Sequence, residues 1–358
     1  MKTKFFLTVL IVFIGNSIFS QTAFKETIKE YDDVCFCSVG LEHPRSILNL
    51  DNNLEILFSL KEGKTLNELD KMGVKYSNSQ ILLLKSSGLI KKVDSIYQPV
   101  IPILSKEETT LLREKTKEIA KEIIPHIEND YKLFCKVLNE KKLHGSNYSI
   151  FFAFALDGLV WNILRQNNCM QKLNITQENP FWDGTFWMIA PKRNFSCGTN
   201  SLSSGNYIIV ENWSDITTVY VSNYKLFKEI LNDYKENGIV TKPEIFNEFR
   251  KNKFFNDKGE LQIPIIKADS TDMIFVQSEI IAKKVADYLI NNIDYSSFLS
   301  DHSNLSKEQK IIILYHEIMW DILDIMEETR QIKKPIAFGN PKESKAKDLK
   351  DLIFIIEN

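Results

Sequence analysis

Asp157 stands almost alone among apolar side chains in "SIFFAFALDGLVWNIL", residues 149–164. A buried carboxylate must be paired, hydrogen-bonded or neutralised by a raised pKa, and such a group in a pocket is equipped to act as an acid or base. The same position also suits a structural aspartate that accepts hydrogen bonds from a neighbouring loop. A second stretch, "LYHEIMWDIL" (314–323), aligns without gaps on "ALDGLVWNIL" (155–164), setting Asp157 beside His316, Trp161 beside Trp320 and Asn162 beside Asp321. In each, a polar residue precedes a tryptophan by four, so the pair shares one face of a helix. Asp157, His316 and Glu317 are therefore the candidate acid–base set, with Trp161 and Trp320 as candidate ligand-facing aromatics. The segments flanking the two stretches do not repeat, so the likeness is either a duplicated half-site or two buried helices with similar needs.

Other chemistry is narrowed by what stands at each position. "YHEIMW" departs from the zinc-protease HExxH helix because Trp320 occupies the second histidine position, and that metal site needs two histidines one turn apart. No metal is expected there. The five cysteines, Cys35, Cys37, Cys135, Cys169 and Cys197, offer no second ligand pair at zinc spacing and read as structural. Phosphate-loop, GxSxG and dinucleotide fingerprints are absent, and no cofactor is expected. "NPFWDGTFWMIAPKRNFSCGTN" gathers Trp182 and Trp187 around Asp183 and Arg193. Rings with a few polar groups suit a sugar or peptide, and equally a hairpin packed onto a domain face.

The elements that must position these groups are readable from punctuation and periodicity. Residues 143–358 read as a helix-rich α+β domain: a helix around Asp157, strands at "GTFWMIAP", "NYIIVENW" and "ITTVYVSNY" joined by the polar "KRNFSCGTNSLSSG", helices at 223–238, 241–255 and 278–292, and a closing helix around His316. The tail "LKDLIFIIEN" reads as a final edge strand. Ahead of this domain, "SKEETTLLREKTKEIAKEIIPHIENDYKLFCKVLNEKK" (105–142) opens with a capping box of Ser105 and Glu108 and is predicted to be one long linking helix, bent at Pro125.

Residues 50–104 have a different texture. "NLEILFSLKEG" ends at Gly63, Thr65 and Glu68 form a capping box before a helix stopped by Gly73, and Ser77 or Ser79 caps a third helix stopped by Gly88. "LIKKVDSIYQPVIPIL" then alternates as two short strands bent at Asp94 and Ser95. On Leu57, Leu60, Leu66, Leu69, Gly73, Leu82, Leu83, Gly88, Leu89 and Ile90, chiefly a core pattern, this segment resembles the winged helix-turn-helix of bacterial ArsR- and MarR-type regulators. The resemblance implies that the third helix takes the recognition position, with Asn78 and Gln80 facing bases and Lys85, Lys91 and Lys92 touching backbone phosphates.

Charge weighs against that use. From Asp51 to Leu104, seven lysines face six acidic side chains, and the whole chain carries a formal charge of -2. Affinity built on phosphate neutralisation needs more. The chain also opens with Lys2 and Lys4, an apolar run from Phe5 to Ile14 and small residues before Gln21, the pattern of a secretory signal peptide cleaved near Ser20/Gln21. The expected organisation is thus a signal peptide (1–20), an N-terminal arm (21–49), the winged-helix-like module (50–104), the linking helix (105–142) and the α+β domain (143–358). The expected product is secreted or periplasmic, with no transmembrane span once mature. Its expected partner is a protein or the cell envelope rather than nucleic acid. An exported hydrolase using Asp157, His316 and Glu317, and a cytosolic DNA-binding regulator, are the alternatives.

Overall fold

A computed structural model describes residues 28–36, 45–170, 186–193, 197–214, 224–242, 254–300, 302, 305–335, 338 and 351–357. The expected signal peptide, Trp182, the strand expected at 216–223 and most of the helix expected at 241–255 lie outside the described residues. The chain mixes helix and sheet, 56% helical and 15% strand, which makes it α+β. It divides into two compact units. One draws on the 1–112, 171–192 and 299–312 stretches, the other on 113–170, 193–298 and 313–358.

In the first unit β1 (Tyr31–Phe36) pairs antiparallel with β4 (Phe186–Pro191). A short helix α1 (Arg45–Leu48) precedes three more, α2 (Asn53–Ser59), α3 (Leu66–Lys71) and α4 (Asn78–Ser86), and a hairpin of β2 (Ile90–Val93) and β3 (Ile96–Pro99). Local chemistry explains each boundary. Thr65 with Glu68, and Ser77 with Gln80, form reciprocal capping boxes. Gly63, Gly73 and Gly88 then adopt positive φ where a helix must stop. Lys64 and Tyr97 exchange backbone hydrogen bonds at 2.9 and 2.7 Å, tying the hairpin to the loop before α3. Leu57, Leu60, Leu69, Ile81, Leu84, Leu89 and Ile90 form the core under these elements. Leu82, read as part of that core, instead points outward and is 66% exposed.

The second unit holds most of α5 (Lys106–Glu140), which runs through Pro125 as one helix. It is followed by α6 (His144–Gln166). A four-stranded sheet has the order β5 (Cys197–Ser204), β6 (Tyr207–Ser214), β8 (Leu352–Ile356), β7 (Ile265–Lys267), antiparallel except for the β7–β8 pair. Two readings are corrected here. "CGTNSLSS" is an edge strand rather than a loop; Ser201 and Ser203 are exposed on a strand that pairs on one side only, while Ser204 donates its hydroxyl to Asn232 Oδ1 at 2.7 Å. β8 is not an edge strand but lies between β6 and β7, and "LIFI" is accordingly buried along its whole length. One face of the sheet packs Leu202, Ile209, Leu352 and Phe354 against Ile230, Leu231 and Tyr234 of α7 (Tyr224–Asn237). The other face meets α6. The remaining helices are α8 (Met273–Asn292) and α9 (Lys307–Glu328), the latter belonging to this unit from Ile313 onward.

By length and apolarity α6 would meet the requirements for crossing a membrane, but 67% of its most apolar window is buried inside the fold. From Phe151 to Val160 it is π-helical. A Cβ at Gly158 would stand 3.1 Å from the Ala153 carbonyl oxygen, so the residue without a side chain sits where the widened turn closes on itself. Single π turns recur at functional sites, and this one contains Asp157.

Gly259 gives a direct test of the second unit. Its φ is +78°, and an added Cβ would come within 2.0 Å of the Val240 carbonyl oxygen. No rotamer relieves a clash with backbone. Gly259→Ala is expected to lower stability by about 1–3 kcal/mol or more, read as a reduced midpoint in urea unfolding of the full chain.

Candidate functional site

Asp157 is held by two side chains. Trp161, four residues on, donates its indole N–H to Oδ1 at 2.9 Å, and Thr199 of β5 donates its hydroxyl to Oδ2. The first bond follows from helical spacing and the second from the sheet lying under α6. Burial pushes the carboxyl above the usual aspartate range, while Thr199, Trp161 and the nearby His316 pull the other way. The echoed helix repeats the device, since Trp320 donates its indole N–H to His316 Nε2 at 3.4 Å. His316 Nδ1 faces Glu317 Oε1 at 3.7 Å.

The two helices touch directly. Tyr315 donates its hydroxyl to the Leu156 carbonyl at 2.7 Å, Trp161 meets Tyr315 edge to face at 4.5 Å, and Phe152 meets Trp320 at 4.8 Å between ring centres. The matched offsets therefore set Asp157 and His316 on two helices in direct contact. Both are partly exposed, within stretches that are otherwise largely buried.

Glu317 plays a different part. Its side chain is 4% exposed, and Oε2 accepts from Arg193 Nη2 at 2.7 Å and from Arg113 Nε at 3.0 Å. Arg193 also reaches Asp321 at 3.3 Å and Asp324 at 3.5 Å, and the Thr116 hydroxyl donates to Asp321 at 2.7 Å. Burial opposes ionisation of Glu317, yet the two arginines and His316 hold its carboxyl far below the usual range. Burial keeps the Asp321 carboxyl above its ordinary value in spite of Arg193 and Thr116. A carboxylate pinned by two guanidiniums is a fixed charge, so Glu317 cannot exchange a proton near neutrality.

Of the residues singled out from sequence, Asp157, Trp161, His316, Glu317 and Trp320 come together in the second unit. Trp187 lies on β4 in the first unit, paired with Cys35 across the strands. The nucleic-acid set lies on the hairpin module: Asn78, Lys85, Lys91 and Lys92 are exposed, and Lys92 stacks its ammonium over Tyr97 at 5.3 Å. Gln80 is engaged. Its amide oxygen accepts from the Ser77 backbone at 2.9 Å, and its amide nitrogen donates to Asn52 at 2.9 Å and Asn53 at 3.2 Å. Sequence reasoning missed Thr199, Arg113 and Thr116. Arg113 and Thr116, one turn apart on α5, answer the one-turn spacing of Glu317 and Asp321, but nothing local says that the two helices meet. Cys135 is a free thiol, and Cys169 donates its Sγ hydrogen to the Asn167 carbonyl at 3.6 Å. Among the described residues no three His, Cys, Asp or Glu side chains are grouped to hold a metal ion.

Arg193→Ala would leave a buried carboxylate short of its main partner, and is expected to cost about 3–5 kcal/mol; replacing Arg193 and Glu317 together with apolar residues of similar volume should recover much of that. The pH dependence has a definite sign. Because the folded pKa of Glu317 is depressed from 4.5, its stabilisation is present above that value and fades as pH falls below it. Asp157 and Asp321, with raised folded pKa values, contribute oppositely: their stabilisation is full below the unfolded value and fades as pH rises through the folded one. Of these three carboxyls Glu317 is the one with a depressed folded pKa, so Glu317→Gln should flatten the acid limb of stability measured by urea unfolding from about pH 3 to 7.

A scan against protein-family models finds no match for this chain, and searches of curated proteins and of solved structures likewise find none.

Proposed function

We propose that this chain is an exported, non-catalytic binding or assembly protein whose 53–99 module contacts protein rather than nucleic acid. One observation carries the reading: Leu82, on the α4 helix that would face DNA bases in a winged helix, is 66% exposed. A base-reading helix presents hydrogen-bonding side chains there, whereas a protein-contact helix presents an apolar one. Val93 and Ile96, paired at the hairpin tip, are exposed as well. Gln80 is engaged in a cap, and the near-neutral charge of the module supports the same conclusion. The signal-like N-terminus supports export to a compartment without DNA. The firmly paired Glu317 supports a non-catalytic role for the second unit.

A second reading, an exported hydrolase, draws support from the direct contact of the two helices that carry Asp157 and His316. In that reading these two residues would move the proton, and Glu317 would only orient the imidazole. Hydrolysis of an ester or peptide panel that disappears in both Asp157→Asn and His316→Asn, with folding intact, would replace the first reading by the second.

The proposal is tested at the exposed leucine. Leu82→Asp is a surface change expected to move stability by no more than about 0.5 kcal/mol, and it should abolish association with an envelope or protein partner in cell fractionation and cross-linking. Lys91→Ala with Lys92→Ala should not. Retention on duplex DNA at low salt that falls steeply with added salt, and is lost in the lysine variant, would instead make the chain a cytosolic winged-helix regulator.

A further inference from the structure

One position on the sheet face beneath α6 is out of character. β6 directs Ile208, Val210 and Asn212 to this face and Tyr207, Ile209 and Glu211 to the other. Asn212 is 1% exposed, and among the described residues neither its amide nitrogen nor its amide oxygen has a hydrogen-bond partner. A buried amide left this way costs about 1–3 kcal/mol, which a valine in the same place would avoid.

Its neighbours are polar on both sides. Thr199 stands directly across from Asn212 in the β5–β6 register and donates its hydroxyl to Asp157. The β6–β8 register ends at Glu211 opposite Leu352, the residues that follow and precede these in the chain being Asn212 and Asp351. There Ser149 donates its hydroxyl to Asp351 Oδ1 at 3.0 Å. α6 is thus tied to the sheet on either side of Asn212, by Ser149 and by Asp157, and the residue midway between those ties is Ala153, which brings only a methyl group.

The unmet groups define what would fit. A carboxamide offers a donor and an acceptor in one plane, and another amide is its complement. Directly opposite strand neighbours have Cβ atoms about 4.5–5.5 Å apart, so the Asp157 carboxyl on Thr199 lies one short step from Asn212. Each carboxyl oxygen has accepted one hydrogen bond and can accept another. Carboxyls on both sides disfavour an anion, and an ammonium ion would relieve the desolvation of Asp157. An ammonium group next to an amide, a few bonds apart, is the amino-terminal end of a peptide. Entry is from the Asp157 end, where Asp157, Gly158 and Thr199 are partly exposed.

We infer that Asp157 and Asn212 form a subsite for the amino terminus of a peptide, with the α-ammonium on the carboxylate and the first peptide group on the carboxamide. The assignment goes beyond the function proposed above, which rests on the other unit.

The test uses the full chain and titration calorimetry with triglycine amide and its N-acetyl counterpart. Wild type should bind the free amine about tenfold or more tighter than the acetylated probe. Asp157→Asn should remove that preference while leaving the weak binding of the acetylated probe. Asn212→Leu should abolish binding of both probes and raise the thermal midpoint, because the unmet amide is gone. Cross-linking to a partner reads the module and calorimetry with these probes reads the second unit, so failure here is distinct from failure of the module reading. Absence of wild-type binding at millimolar probe, equal binding of the two probes, or retained binding in Asn212→Leu would each overturn the inference.

Discussion

Glu317 is the constraint around which the second unit is organised. A carboxylate taken out of water is tolerated only if its charge is matched locally, and here the match comes from three separate parts of the chain: Arg113 on α5, Arg193 just ahead of β5, and Glu317 itself on α9. Once these meet, the flanking residues follow. Thr116 is brought to Asp321, and the residue before Glu317, His316, is aimed at the neighbouring α6 helix. The position of the imidazole is therefore a by-product of an electrostatic clamp. That clamp favours specificity of arrangement over net stability, because an apolar cluster of the same volume would hold the helices equally well.

Asp157 and Glu317 are both carboxylates on apolar helices, yet their surroundings drive them apart. Glu317 has two guanidiniums and stays ionised. Asp157 has only neutral donors, a hydroxyl and an indole. Neutral hydrogen bonds stabilise a carboxylate less than ion pairs do, so the burial effect prevails and the group is left receptive to a positive charge from outside. The pairing of a fixed charge with an adaptable one is what allows a rigid scaffold to carry a responsive group.

Much of this architecture was legible because it rests on local rules. The capping boxes at Thr65 and Ser77, the stops at Gly63, Gly73 and Gly88, and the i, i+4 pairing of a polar group with a tryptophan all follow from spacing along the chain. What escaped was non-local. Nothing in "CGTNSLSS" announces a strand, since an edge position tolerates serines that a central one would not. Nothing near Asp157 named Thr199 as its partner, because 42 residues separate them. Leu82 was read as core by its company of leucines, although the turn of α4 directs Ile81 and Leu84 inward and leaves it outside. The hydrophobic pattern shows that a helix has an apolar face, and only packing shows how wide that face is.

The order of strands in the sheet has a kinetic consequence. β6 and β7 do not pair with one another; β8 joins them, and it arrives more than a hundred residues after β6 in the chain. The β5–β6 hairpin can form as soon as it is made, but the sheet that covers α6 cannot close until Leu352–Ile356 has been synthesised. Closing so long a loop is entropically slow, and contacts of this separation lower folding rates. Throughout synthesis the sheet of the second unit therefore lacks its bridging strand until residues 352–356 have been added.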